Sequence, residues 1–277
     1  MTAQLRQLMR LDLERIDLRK GVLGLGAILA FGVFVAIFGN IGMVAALATL
    51  FAIVADQPGP LRARGLGALI MTGIGSIIAL VGTWAGPEHV VVAALLTFVV
   101  VLLATLVAGL GQALAVRGML LSVWAVVAIS FADGPETAMQ MAIAYLGGGL
   151  IAAAIIYLRT RALPEPSLAE EAEDATRTFE QVLSSSFGAF ALLRALAAGL
   201  AMWAGATLFP EHAIWAALTV ILVMKPRVGE TVASGVLRAG GTVIGVLAAE
   251  ALILASAGET AFVLIGFLLA AIGMAAL

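Results

Sequence analysis

The sequence predicts an all-α protein, a polytopic transmembrane helix bundle with about ten spans arranged as two parallel repeats. Three observations lead to this fold class: the composition, the length of the apolar runs and the placement of the basic residues. Of the 277 residues, 62% are hydrophobic and 12% are charged, whereas soluble domains carry about 25% charged residues. A soluble chain of this composition would expose large apolar patches and aggregate. Composition therefore excludes a soluble enzyme and a nucleic-acid binder, and the lack of cysteine excludes a disulfide scaffold.

Ten unbroken apolar runs approach the length of about 20 residues that a helix needs to cross the hydrocarbon core. Transmembrane strands would instead alternate apolar and polar residues. Six runs form an expected first bundle over residues 21–161, at about 21–39, 41–55, 65–85, 90–110, 118–132 and 138–158. Four runs form an expected second bundle over residues 193–277, at about 193–209, 213–224, 236–256 and 261–277.

Two segments outside the spans are also expected to be helical. Residues 1–20 combine apolar side chains at helical spacing with basic ones, a pattern typical of a helix on the cytoplasmic membrane surface. Residues 162–192 form the one long polar segment and predict a cytoplasmic linker helix between the two halves. The chain stops at Leu277 inside an apolar run, so we expect the second bundle to be incomplete.

The basic residues predict the orientation of the spans. With the N-terminus in the cytoplasm, all 15 Lys and Arg residues fall in segments on the cytoplasmic side. The outer turns, at 39–40, 86–89, 133–136, 210–212 and 258–260, hold none. This asymmetry follows the positive-inside rule, and an incorrect set of spans would destroy it. We therefore expect a multi-pass protein with a cytoplasmic N-terminus.

The two halves share an order of features. Each begins with a basic residue, followed by a long span, an outer turn and a short span. Thr49 and Thr219 lie ten residues before Gly59 and Gly229, respectively. Both halves start on the same side of the membrane, so the predicted repeats are parallel rather than inverted.

The two short spans, 41–55 and 213–224, are marginal for crossing a bilayer. They favour helices that stop early inside a cavity lined by neighbouring helices. Paired short segments at matching positions of two halves indicate the substrate site of a transporter. The alternative is that polar residues at their ends extend to the membrane surface.

A spaced set of residues in the second half is more specific. It consists of a basic residue before a span, a Trp entering a short span, a Thr one turn on, a Pro-x-x-Gly-x-Thr turn, an Arg and a Gly-Thr-x-x-Gly helix. These positions are Arg194, Trp215, Thr219, Pro226, Gly229, Thr231, Arg238, Gly241, Thr242 and Gly245. The set resembles the fusaric-acid-resistance, or aromatic acid exporter, family, and the match covers about sixty residues well. The first half resembles that family only in its topology.

The resemblance implies efflux of aromatic carboxylic acids or related toxic organic anions across a bacterial inner membrane. It also implies a homo-oligomer and a periplasmic adaptor protein as a partner. Members of the family usually have a sizeable cytoplasmic domain, whereas the linker here is about thirty residues long. We therefore expect a fragment or a reduced member of the family.

Four residues around the second short span are the predicted substrate pathway: Trp215, Thr219, Lys225 and Arg238. The basic pair would raise the local concentration of a carboxylate, and Trp215 would contact an aromatic ring. The alternative is that Lys225 and Arg238 only anchor the topology. A second set is expected to serve the turn and helix packing: Pro226, Gly229, Gly241, Thr242 and Gly245.

Glu250 is the one acidic residue well inside an apolar run. A carboxylate at that depth is costly and should face protein or water, so Glu250 is the candidate for proton coupling. Two alternatives stay open. Glu250 could form an interhelical hydrogen bond, or the span could start later and leave it near the outer surface.

We predict no enzyme, no cofactor and no metal site. His89 and His212 both follow Pro-Glu on outer turns, but Pro and Glu are ordinary residues for the start of a helix. The predicted function is efflux of organic anions, driven by the proton gradient or the membrane potential. The alternatives are a passive organic-anion channel and a membrane assembly subunit that does not transport. The expected partners are the anion, the lipid bilayer and other copies of the chain, without nucleic acid.

Overall fold

The structure is a computed structural model that describes residues 18–56, 60–85, 89–129, 131, 135–162 and 178–256. Every regular element in these ranges is a helix, and they contain no strand. The all-α prediction is therefore confirmed for the described part of the chain. The predicted surface helix at 1–20, apart from its last three residues, and the last predicted span at 261–277 lie outside the described residues.

Five long helices make up the part of the chain before the linker. They are α1 (Leu18–Val54), α2 (Leu61–Ala85), α3 (Val90–Ala108), α4 (Gln112–Ile129) and α5 (Pro135–Ala162). None contains a proline after its first residue, so none loses a backbone hydrogen-bond donor within the helix, a loss that is costly in a bilayer. Glu136 lies in the first turn of α5, where a negative charge complements the helix dipole.

Helix α1 is interrupted at Gly39, where the sequence predicts an outer turn. Gly39 has φ 57° and ψ −135°, a conformation that a residue with a Cβ rarely adopts. The residues of α1 that follow Gly39 end at Val54. They correspond to the first of the two predicted short spans, 41–55.

The described residues from 178 to 256 form four further helices, of which the first two begin within the predicted linker segment 162–192. Thr178 caps α6 (Phe179–Ser184) through a capping box with Gln181. The remaining elements are α7 (Ser186–Leu208), a 3₁₀ turn (Pro210–His212), α8 (Ala213–Val223) and α9 (Val228–Ser256). The bounds of α8 agree with the short span predicted at 213–224.

Three helices begin six to eight residues earlier than the apolar runs suggest. Helix α4 begins at Gln112 rather than near 118, α7 at Ser186 rather than near 193, and α9 at Val228 rather than near 236. The Ser185 hydroxyl accepts the Phe187 N–H at 3.2 Å, which provides the N-cap of α7. The extension of α4 draws Arg117 into the helix, although the predicted run from 118 leaves it outside the span. The extension of α7 places Arg194 more than two turns from the start of its helix.

Within the described residues, five helices are long and apolar enough to cross a membrane: Val35–Val54, Leu61–Trp84, Val90–Ala108, Pro135–Leu158 and Ser186–Leu208. Two shorter apolar helices accompany them, Leu114–Ile129 and Ala213–Val223. These helices make the chain a multi-pass membrane protein by length and composition. The prediction of about ten spans goes beyond this set.

Residues 38–236 form one compact unit. Within it, α2 packs against α4 and α5, and α3 packs against α4 and α7, while α8 packs against α7. One core surrounds Trp124 and Tyr145, and a second surrounds Met202 and Ile221. The other unit contains the described residues before 38 and after 236, which are helical.

Candidate functional site

The candidate site lies around α8, the short helix. Its 11 residues extend roughly 16 Å, about half of the 30 Å hydrocarbon thickness. Ala213, Ala217, Leu218 and Ile221 are its buried face. The helix ends at Val223, and Met224 is extended with φ −68° and ψ 121°. The chain thus leaves the helix before it could cross a membrane.

Arg194 of α7 holds the end of this short helix. Its Nη2 donates a hydrogen bond to the Ile221 carbonyl at 2.5 Å, and its Nη1 donates to the Thr105 hydroxyl of α3 at 3.2 Å. The last four carbonyls of a helix lack N–H partners within the helix, and Ile221 belongs to this last turn. A cation at a helix C-terminus also complements the helix dipole. Arg194 therefore joins α3, α7 and the end of α8.

The charge of Arg194 is only partly compensated. The residue is 8% exposed, and among the described residues no carboxylate pairs with it and no acceptor contacts its Nε. A buried guanidinium without a counter-ion is costly, and an ionisable residue inside a membrane span is by default a functional candidate. The sequence prediction treats Arg194 as a basic residue in front of a span. One feature of the sequence could have identified Arg194 as a buried residue: it is the single charged residue in the otherwise apolar run from 189 to 202.

Thr231 closes the turn that follows α8. Its hydroxyl accepts the Lys225 N–H at 2.9 Å and lies 3.1 Å from the Lys225 carbonyl oxygen. The Thr231 N–H donates to the Arg227 carbonyl at 3.0 Å. These bonds explain the Pro-x-x-Gly-x-Thr spacing: the threonine at its end fixes the backbone at Lys225, next to the end of α8.

Trp215 and Thr219 lie one turn apart on the exposed face of α8. The Thr219 hydroxyl donates to the Trp215 carbonyl at 2.8 Å, and the Trp215 side chain is 58% exposed. The structure therefore places these two predicted pathway residues together, on the side opposite to the buried face. Both are open to a ligand that approaches this face of the helix.

The basic residues of the turn differ in exposure. Lys225 is half-buried, whereas Arg227 is exposed and forms an ion pair with Glu230, with Nη1 and Oε1 2.8 Å apart. Arg238 lies on α9 in the other unit, where its carbonyl accepts the Thr242 hydroxyl at 2.8 Å. The structure thus brings Trp215, Thr219 and Lys225 to one short helix and its turn.

The remaining predicted residues are distributed over the turn and α9. Pro226 is exposed in the turn, and Gly229 is the second residue of α9. Among the described residues, no atom lies within 4 Å of a Cβ built on Gly229 or Gly241. The packing role of Gly241 and Gly245 stays a prediction. Glu250 is also part of α9, about 18 Å along the axis from Arg238, and its side chain is outside the described set.

The described residues contain no group of three or more His, Asp or Glu side chains that could hold a metal ion. The exposed side of α8 and its turn offer an indole, a hydroxyl and a half-buried ammonium, whereas the guanidinium of Arg194 lies on the buried side of the same helix. An amphipathic anion on the exposed side would have its charge attracted by the cation and its apolar part in contact with the indole.

Comparison with known proteins adds one finding. Residues 176–277 match the family model described as fusaric acid resistance protein-like, and this range contains the whole motif from Arg194 to Gly245. No curated protein matches the chain, and no solved structure matches it. Residues 176–277 of this multi-pass membrane protein are therefore similar to the fusaric acid resistance protein-like family.

Proposed function

We propose that the protein exports aromatic carboxylic acids or related organic anions across a bacterial inner membrane, with its N-terminus in the cytoplasm. The observation that carries the proposal is Arg194, a buried cation without a carboxylate partner among the described residues. It lies in α7 and donates a hydrogen bond to the end of α8, a helix too short to cross a membrane. The name of the matched family supports the ligand class, because it refers to resistance to an organic acid.

Electrostatics favours an anion as the transported species. A carboxylate that leaves water for a membrane protein loses its hydration, and fixed positive charges in a medium of low dielectric constant compensate for this loss. Arg194 and Lys225 would supply these charges next to the end of α8. An inside-negative potential would then drive the anion outward with about 2.3 kcal/mol per charge for each 100 mV.

The proposal includes two parallel repeats, ten spans and a homo-oligomer that works with a periplasmic adaptor. Equivalent hydrogen bonds support the repeats. Two threonine hydroxyls of the first half donate to the carbonyl four residues earlier, and the threonines 170 positions later do the same. The bonds are Thr49 to Ala45, Thr72 to Ala68, Thr219 to Trp215 and Thr242 to Arg238. Other helical threonines, such as Thr97 and Thr207, also form this bond, so the spacing of 170 positions is what supports the repeats.

A difference between the repeats supports the location of the substrate site. In the first half, α5 covers the short helical segment: the Thr49 hydroxyl lies 2.8 Å from the Gly148 carbonyl oxygen. In the second half, the corresponding face carries Trp215 and Thr219, and both are exposed. The large indole replaces Ala45 of the first half. This replacement suits a face that receives a ligand rather than a close helix.

Uptake into inside-out vesicles tests the proposal with a matched set of variants. Lys225→Gln and Arg238→Gln should each raise the KM for a radiolabelled aromatic acid about tenfold, the effect of one lost charge interaction. Arg227→Gln serves as the control, because Arg227 is exposed and paired with Glu230. Wild-type KM in both test variants, with normal protein levels in the membrane, would reduce Lys225 and Arg238 to topology anchors.

Planar-bilayer recordings separate an exporter from a passive channel. An exporter should yield flux that depends on its driving gradient without single-channel currents. Voltage-dependent anion currents from the purified protein would favour the channel instead, and the absence of both activities would favour an assembly subunit.

A further inference from the structure

An apolar groove lies between α3 and α7, within the compact unit of residues 38–236. It has a volume of about 510 Å³, and residues between 91 and 98 of α3 and between 196 and 203 of α7 form its walls. The groove is located where α3 begins and α7 ends, since Val91 is the second residue of α3 and Trp203 lies five residues before the last residue of α7. It contains none of the residues in the proposed substrate pathway.

Gly199 is the point at which the two helices approach most closely inside the groove. A Cβ on Gly199 would stand 3.1 Å from the Ala94 carbonyl oxygen and 3.1 Å from the Phe98 Cβ. Leu95 of α3 and Leu200 of α7 also line the groove, and these side chains are 58% and 63% exposed. A small residue between large, exposed ones thus leaves a furrow that is open to the surroundings of the helices.

These surroundings are hydrocarbon rather than water. Both helices belong to the segments that are long and apolar enough to cross a membrane, Val90–Ala108 and Ser186–Leu208. Among the described residues that line the groove, none is charged, and the indole N–H of Trp203 is the one polar side-chain group. A water molecule needs two to four polar partners, which this lining does not offer. The groove therefore suits an apolar molecule.

The length of the groove favours an acyl chain over another helix. From Leu196 to Trp203 it covers roughly 10 Å along the helix axis, about a third of the 30 Å hydrocarbon thickness. A transmembrane helix of a second copy would need a seam through most of that thickness. A flexible chain needs only a furrow of this length, and the volume of the groove is within the range of small-molecule sites, about 300–1,000 Å³.

Trp203 provides a hydrogen-bond donor at the end of the groove nearest the membrane surface. Its side chain is 49% exposed, and among the described residues no acceptor pairs with its N–H. By contrast, the buried Trp124 donates to the Gly75 carbonyl at 2.8 Å. Tryptophan is enriched at the membrane–water interface because its ring is apolar and its N–H is polar. The ester carbonyl of a phospholipid lies at this level, at the head of each acyl chain.

We propose that the groove binds one acyl chain of a phospholipid. The Trp203 N–H donates a hydrogen bond to the ester carbonyl, and the methylenes that follow it pack along Leu200 and Leu196. Because the lining carries no charge, the site recognises the chain rather than the charge of the head group. The bound chain contacts both α3 and α7, which α4, α5 and α6 separate in the sequence.

Native mass spectrometry of the purified full chain in detergent, with dioleoyl-phosphatidylcholine added, tests the proposal. Ala94→Phe places a ring in the groove and should weaken binding about tenfold or more, because each methylene excluded from an apolar site lowers affinity about fourfold. Ala197→Phe is the matched control, since Ala197 is partly exposed like Ala94 and does not line the groove. The loss in Ala94→Phe should be equally large for dioleoyl-phosphatidylglycerol.

Two further comparisons separate the chain from the ester. Dihexanoyl-phosphatidylcholine should bind about tenfold more weakly than the dioctanoyl lipid to wild type and to Ala197→Phe, and the difference should disappear in Ala94→Phe. Trp203→Phe keeps a ring but removes the N–H. It should lower affinity about fivefold, the effect of one neutral hydrogen bond, and preserve the dependence on chain length.

A measurement on the wild-type chain needs no variant. In proteoliposomes, a phosphatidylcholine with a diazirine in its acyl chain should label residues 91–98 and 196–203 more strongly than the equally exposed apolar residues Ile70 and Ile77 of α2. Equal labelling of both sets, or equal lipid binding by Ala94→Phe and Ala197→Phe, would overturn the proposal. Loss of an oligomer in Ala94→Phe without loss of lipid would assign the groove to a second copy, and displacement of the lipid by benzoate would assign it to an aromatic acid.

Discussion

At the scale of single residues, Arg194 poses the main question. Its two hydrogen bonds stabilise the end of α8, but hydrogen bonds return little of the cost of burying a charge. Replacing a buried ionic group with an apolar one of similar volume is often neutral or stabilising. Stability alone therefore does not explain an arginine at this position, whereas the proposed binding of an anion would.

We expect Arg194→Met to lower the transport rate about tenfold or more while the Tm of the purified protein changes little. The methionine fills a similar volume and removes the charge. Arg194→Lys, which keeps the charge, should retain part of the activity. Scanning fluorimetry and vesicle transport on the same preparations provide the comparison. A Tm that falls together with the activity would assign Arg194 a structural role.

Glu250 supports a prediction about energy coupling. Hydrocarbon surroundings disfavour a charged carboxylate, so a deep Glu can bind a proton on one side and release it on the other. In proteoliposomes, Glu250→Gln should abolish the dependence of flux on the pH gradient and preserve downhill anion movement, because the amide resembles the neutral acid. Unchanged pH dependence would remove Glu250 from the mechanism.

The sequence locates part of the candidate site and misses the rest for a physical reason. Trp215, Thr219 and Lys225 could be found because they flank a recognisably short apolar run. Arg194 is 27 residues from Ile221 and 89 from Thr105, and no local pattern reveals such partners. A hydropathy analysis also places the end of a span at a charged residue. A transmembrane helix can nevertheless contain a charged residue where other helices supply hydrogen-bond acceptors.

At the scale of helices, two of three consecutive glycines, Gly148 and Gly149, allow α5 to approach its neighbours. A Cβ on Gly148 would lie 2.0 Å from the Ala45 carbonyl oxygen, and one on Gly149 would lie 2.1 Å from the Thr72 hydroxyl. A Cβ on Gly147 would meet no described atom within 4 Å. Small residues allow such close packing in membranes, where apolar burial gives helices little reason to associate.

We expect Gly148→Ala to destabilise the protein by about 1–3 kcal/mol, because backbone atoms must separate to accept the methyl group. The contact between Thr49 and the Gly148 carbonyl would be lost as well. Gly147→Ala is the matched control and should be neutral or stabilise by up to about 1 kcal/mol through helix propensity. Thermal unfolding in detergent distinguishes the two variants. Equal Tm values would show that α1 and α5 leave room for a methyl group between Gly148 and Ala45.

Helix bounds follow from the sequence where a special residue marks them. Gly39 interrupts α1, Pro135 begins α5 and Pro210 begins the 3₁₀ turn, each at a predicted turn. The start of α4 is displaced because its apolar run begins only after Arg117. The starts of α7 and α9 are displaced because small and polar residues, Ser186 and Glu230 among them, precede the apolar runs. The helices themselves extend further, since their end residues hydrogen-bond to caps or water and need no apolar side chains.

At the scale of the whole molecule, composition and charge placement are sufficient to predict an all-α membrane protein. They are not sufficient to predict which helices pack against each other. Helix α3 packs against α7, which follows it only after α4, α5, the linker and α6. Helices in a membrane share the same apolar surface chemistry, so their partners depend on the fit of small residues such as Gly199, whose Cβ would lie 3.1 Å from the Ala94 carbonyl oxygen. Hydropathy does not contain this information.

The distribution of basic residues also predicts which ends of the helices face the cytoplasm, and the chain contains no cysteine that could interfere with a labelling test. Arg62 and Arg227 are exposed at predicted inner ends, and His89 and His212 are exposed at predicted outer turns. A single cysteine at position 89 or 212 should react with an impermeant thiol reagent in intact cells. A cysteine at 62 or 227 should react only after the inner membrane is opened, because positively charged loops stay on the cytoplasmic side.

Labelling of position 62 or 227 from outside intact cells would contradict the cytoplasmic N-terminus. Labelling of only one residue in an inner or outer pair would mean that the two halves face opposite ways, and would therefore contradict the parallel repeats.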